Sequence, residues 1–212
     1  MSLLAPLLTL ILLGVAMLAL GVTLSRRAHQ RLHHQYEKLA DRWKIDLEVP
    51  PARMMGLLQK NPLVSGHYRG REISVFCLGH GIEETRQTDT ALRVEVRGPH
   101  GFQFLFHRRS ALGKARREVK APQVETGDEA FDKEFVLRSN NAGTVLAVLD
   151  ANARQRLIGL WKGRAASIYL RDGVLTYVEF GLLMEDARRE RIEALMEFAC
   201  DLADQIDAYA AA

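Results

Sequence analysis

The decapeptide TGDEAFDKEF, residues 126–135, sets Asp128, Glu129, Asp132 and Glu134 around two phenylalanines four residues apart. Carboxylates at that density suit a hard cation such as Ca2+ or Mg2+. The known calcium hand, however, draws its ligands from fixed positions of a longer loop with an internal glycine and a closing glutamate, and this spacing is absent here. A local reading accounts for every residue type. Gly127 turns the chain, Asp128 caps a single helical turn, and Phe131 and Phe135 fall on one face and enter the core. Asp132 and its acidic neighbours then point outward.

The next chemical candidate is HRRSALGKARREVK, residues 107–120, where six basic side chains face one glutamate. Arg108, Arg109, Lys114, Arg116, Arg117 and Lys120 would suit anionic lipid headgroups. A solvated loop paired with the acidic stretch after it is the plainer expectation, because mixed surface charges partly cancel. Few aromatics are interleaved for base stacking and no binding module is recognisable, so nucleic acid is not an expected partner. His29 and His33 have metal-ligand spacing on a helix but no accompanying acid of the HExxH kind, and no metal is expected there. Cys77 and Cys200 are far apart in apolar runs and read as reduced, buried thiols. No GxSxG, Walker loop or helix-opening GxGxxG is present, and Gly66-x-x-x-Gly70-Arg71 lacks the ending of a phosphate loop. The sequence therefore names no catalytic residue and no cofactor.

GDEAFDKEFVLRSNN, the apolar helix after it, ANARQRLIGL, and the earlier Tyr68-Arg69-Gly70-Arg71 form a recognisable series. It resembles a segment of uncharacterised bacterial membrane-anchored proteins grouped under a domain of unknown function. The resemblance spans about Leu57–Phe180. It implies an anchor and a single domain, with Tyr68, Gly70, Arg71, Gly127, Asp128, Phe131, Asp132 and Phe135 as structural positions. It implies no activity.

The elements that must position these groups begin with Ser2–Leu24, 23 residues without a charged side chain. As a helix the run spans about 34 Å, enough for a bilayer core of about 30 Å. No basic residue precedes it, and it is long for a signal peptide, so an uncleaved anchor is expected. Arg26, Arg27 and Arg31 follow directly and would touch headgroups. The positive-inside rule then places the N-terminus outside and the rest in the cytoplasm, and the resemblance implies the inner membrane of a bacterium.

Three segments are expected: a transmembrane helix over 2–24, a juxtamembrane helix and linker over 25–49, and one cytoplasmic domain over 50–212. In the second, Leu32, Tyr36, Leu39 and Trp43 form a narrow stripe too short for a coiled coil, favouring packing on the domain. In the third, hairpins are expected around Arg69-Gly70 and around Asp172-Gly173. A further hairpin is expected to join ALRVEV to FQFLF through Gly98–Gly101. Helices are expected over 142–149 and 153–161, the second capped by Asn152, and over 185–209, where Ile192, Leu195, Met196, Ala199 and Ile206 share a face. The fold class is α+β, an antiparallel sheet of hairpins covered by helices. The function expected is a membrane-tethered interaction or assembly domain that binds a protein partner or itself. A sensor of anionic headgroups is the alternative, and an enzyme with a non-local site comes third.

Overall fold

The computed structural model describes residues 4–50, 61–79, 87–109, 119–161 and 163–211. It is an α+β fold in which one nine-stranded sheet is covered by helices. Helix α1, Leu4–Trp43, leads into strand β1, Asp46–Glu48. Strands β2, Leu63–Tyr68, and β3, Arg71–Gly79, form the first hairpin. Then follow β4, Gln87–Glu95, β5, Phe104–Arg108, and β6, Gln123–Val124. Helix α2, Glu129–Glu134, runs into β7, Phe135–Ser139. Helices α3, Ala142–Val148, and α4, Ala151–Trp161, precede the hairpin of β8, Ala166–Arg171, and β9, Val174–Phe180. Helix α5, Asp186–Ala211, closes the chain.

The strand order is β1-β2-β3-β4-β9-β8-β5-β7-β6, and every pairing is antiparallel. The β2–β3 and β8–β9 turns have two residues each at positive φ, Arg69 with Gly70 and Asp172 with Gly173. That twist matches the flanking strands. The two-residue β6 and three-residue β1 stand at the sheet edges, leaving little unpaired backbone for another chain.

Two expectations are corrected. β4 and β5 are not a hairpin: β4 lies between β3 and β9, while β5 lies between β8 and β7. The β8–β9 hairpin, from much later in the chain, inserts between them. Asn152 is not the cap of α4, because Asp150 accepts from the Ala153 N–H at 2.7 Å.

Alternation sorts each strand onto two faces. Val64, Ile73, Val75, Leu92, Val94, Phe104, Phe106, Leu137, Ile168, Leu170, Leu175 and Tyr177 belong to one core with Val145, Leu157, Leu195, Met196, Ala199 and Ile206 of the helices. The stripe Leu32, Tyr36, Leu39 and Trp43 is buried in that core, and β1 pairs with β2. The described fold therefore begins before the boundary expected at residue 50. Among the described residues no helix is long and apolar enough to cross a membrane. The described side chains of α1 begin at Leu12, so much of the uncharged run 2–24 falls outside that statement.

Candidate functional site

The direction of α1 organises the molecule. The Tyr36 hydroxyl meets the Cys77 thiol at 3.3 Å. Cys77 belongs to the cross-strand row Cys77–Thr90–Glu179–Ala166, next to the row Leu78–Asp89–Phe180 in which β9 ends. Further along α1, Trp43 packs against Tyr68 toward the opposite end, ring centroids 6.3 Å apart. Reading α1 backward from Tyr36 thus carries the helix off the sheet beyond the Phe180 row. α5 begins at that same end, where Lys38 pairs with Asp186 at 2.9 Å. Of the residues expected to touch headgroups, Arg26, Arg27 and Arg31 are exposed on the projecting part of α1. Beyond them Leu12, Leu13, Val15, Met17, Leu18, Leu20 and Leu24 are each more than half exposed.

The basic run of 107–120 is differently disposed. The α2 carbonyls of Asp132 and Lys133 accept from Arg109 at 2.7 and 3.2 Å, which satisfies the helix C-terminus. Arg108 pairs with Glu134 and lies over the Phe135 ring. Lys120 is exposed. Lys114, Arg116 and Arg117 lie outside the described residues, as does most of the polar loop 79–88.

TGDEAFDKEF is a turn locked to its own helix. Asp128 accepts from the Phe131 N–H at 3.1 Å, and Asp132 turns back to accept from the Thr126 N–H and hydroxyl. Gly127 stands between them at φ 81. Phe131 and Phe135 close on Phe106, whose ring also stacks on Trp161 at 4.9 Å. A cleft of about 530 Å3 runs beside this turn, lined by Arg109, Gln123, Glu125, Glu129, Asp132 and Lys133. Its arginine and Asp132 are already engaged as described.

Tyr68-Arg69-Gly70-Arg71 is a clamp on α5. Arg69 reaches Glu197, Asp201 and Asp204, and Arg71 reaches Asp204, Asp207 and the Glu95 carbonyl. Tyr68 donates to Glu197 at 2.6 Å. Burial pushes the Asp201 carboxyl up, but hydrogen bonds from Arg69 and Arg156 outweigh it and hold the group below its usual range. Gly70 permits the turn that aims both arginines at one helix.

The inference from local sequence missed Glu179. Its carboxylate is fully buried and accepts from Arg191 Nη2 at 2.6 and 2.7 Å and from the Tyr177 hydroxyl at 2.8 Å, with Arg188 at 3.5 Å. Burial beside this carboxylate raises the Tyr177 pKa. A signal existed: Leu175, Tyr177 and Glu179 alternate onto the core face, so Glu179 must meet a cation there.

Among the described residues no three His, Cys, Asp or Glu are grouped to hold a metal. His33 faces Glu37 at 3.1 Å. Burial pushes Cys77 and Cys200 up to about 11, so both are protonated and sluggish nucleophiles.

These features define a class: an α+β domain with one helix-covered antiparallel sheet and a stiff N-terminal helix leaving one end. No family model and no curated protein matches the chain. Among solved structures it is similar to the crystal structure of the mycobacterial trehalose monomycolate transport factor A, TtfA. The TM-score is 0.53 at 13% identity, covering 82% of this chain and 96% of that one. A likeness at that identity is one of fold.

Proposed function

We propose that the chain is a membrane-tethered interaction domain. Residues 2–24 hold it in the inner membrane with the N-terminus outside, and residues 25–212 lie in the cytoplasm. There the domain binds a protein partner or a second copy of itself. The observation that supports this reading is the continuity of α1. One helix presents apolar side chains to its surroundings from Leu12 to Leu24 and is core from Leu32 to Trp43. A helix apolar on every side needs lipid or another protein around it. With no loop between the two parts, the domain is held at a set height and angle, which suits a docking platform. The relative of similar fold is a transport factor, and an accessory role of that broad kind fits a platform.

The test is a native mass spectrum of the full-length protein extracted gently from its own membrane. A mass corresponding to an oligomer or a complex with a second polypeptide is expected. A lone protomer carrying a small-molecule adduct contradicts the reading and points to a ligand-binding or catalytic role.

A further inference from the structure

We propose that the end of the domain from which α1 emerges seats on an anionic lipid surface, with Phe180 as an interfacial anchor and Arg164 beside it as a headgroup contact. This deepens the tethered reading and rests on it. Three observations carry it.

Phe180 is the last residue of β9 and stands one row beyond the level at which Tyr36 meets Cys77. At 66% exposure it is the most exposed large apolar side chain among the described residues outside α1. Its N–H donates to the Ala165 carbonyl at 3.4 Å, so the exposed segment of Gly163, Arg164 and Ala165 lies against it. An aromatic ring next to a free cation is the composition that interfacial segments use.

Several carboxylates at this end are held by cations, and the Asp89 carboxylate across the strands from Phe180 is buried. Glu179 is held by Arg191 and Arg188, Asp186 by Lys38, and Glu134 by Arg108. The exposed Glu185 lies within the field of Arg188. Among the described residues no carboxylate pairs with the Arg164 guanidinium. Arg26, Arg27 and Arg31 add cations on the same side.

Geometry also permits contact. From Leu24 to Tyr36 α1 rises about 18 Å, so an upright helix holds the Phe180 row above the headgroups. α1 packs on β1 and β2, and β9 lies three strands beyond β2, about 14 Å to the side. A tilt of about 20–30°, ordinary for a single span, lowers that side by about 5–7 Å, toward the headgroup layer.

The experiment uses the full chain with Phe180→Cys, labelled with a polarity-sensitive maleimide and reconstituted in vesicles of phosphatidylcholine with or without phosphatidylglycerol. Native Cys77 and Cys200 are buried and do not compete for the label. Asp172→Cys, in the turn of the same hairpin at the far end, is the control. In phosphatidylglycerol vesicles the label at 180 should shift to the blue. Headgroup-proximal spin-labelled lipid should quench it several-fold more than the label at 172. Arg164→Glu should at least halve that quenching, and pure phosphatidylcholine should do the same. Equal aqueous emission at 180 and 172 on protein that floats with the vesicles overturns the proposal and leaves the tether standing. Equal quenching in both lipids, or no effect of Arg164→Glu, overturns the anionic assignment. Failure of the unlabelled chain to float overturns the tethered reading, and this proposal falls with it.

Discussion

Glu179 is the residue whose removal should cost most. It is fully buried with Arg191 Nη2 against both of its oxygens, so Glu179→Ala leaves a guanidinium uncompensated in the core. A loss of about 3–5 kcal/mol is expected in chemical denaturation of the full-length protein in detergent. Replacing Glu179 and Arg191 together with leucine should recover only part of that loss, because Arg188 and the Tyr177 hydroxyl still lose their acceptor. Asp128→Ala removes a single cap bond and should cost about 1 kcal/mol, lowering the thermal midpoint by about 2–4 °C. The carboxylates of Asp201 and Asp186 titrate below their usual range in the fold. A depressed carboxylate contributes stability above its unfolded pKa of about 3.9 and loses it as pH falls through the folded value. Thermal midpoints should therefore drop below about pH 4, and less steeply in Arg69→Ala, which lacks one source of the shift at Asp201. The Asp128 cap is legible in the sequence because donor and acceptor are three residues apart. The Glu179 pair was legible only in half: alternation puts the acid inside, but its cation lies on a helix twelve residues later.

At the scale of elements, the hairpins at Arg69-Gly70 and Asp172-Gly173 could be read from two residues each, since the turn type is chosen locally. The same reasoning failed for β4 and β5. A four-residue turn between two alternating runs does not say which strands flank them, and a distant hairpin took the place between. Edge strands β1 and β6 were too short to leave a periodic signal. The Tyr68–Arg71 motif shows what such a turn is for once the partner helix is present. Arg71 is nearly buried and uses Nε, Nη1 and Nη2 on Asp204, Asp207 and the Glu95 carbonyl. Lysine cannot supply that fork. Arg71→Lys should therefore destabilise nearly as much as Arg71→Ala, by about 1–3 kcal/mol in denaturant titration. Comparable stability of Arg71→Lys and the parent would show that charge alone holds α5 to the hairpin.

For the whole molecule, the proposed tether and the domain share one continuous helix, α1. The amphipathic stripe of Leu32–Trp43 was legible as packing, while its continuity with the apolar run becomes physical only when both parts share one helix axis. Arg108 and Arg109 of the 107–120 run are engaged with α2, and Arg108 also donates to the Gly163 carbonyl beside Arg164. All of this depends on residues 2–24 residing in lipid. The most direct measurement is alkaline carbonate extraction of membranes from cells expressing the full chain or a chain lacking residues 2–24. The full chain should stay in the membrane pellet, and the shortened chain should be released to the supernatant. Release of the full chain, or retention of the shortened one, would contradict the tether.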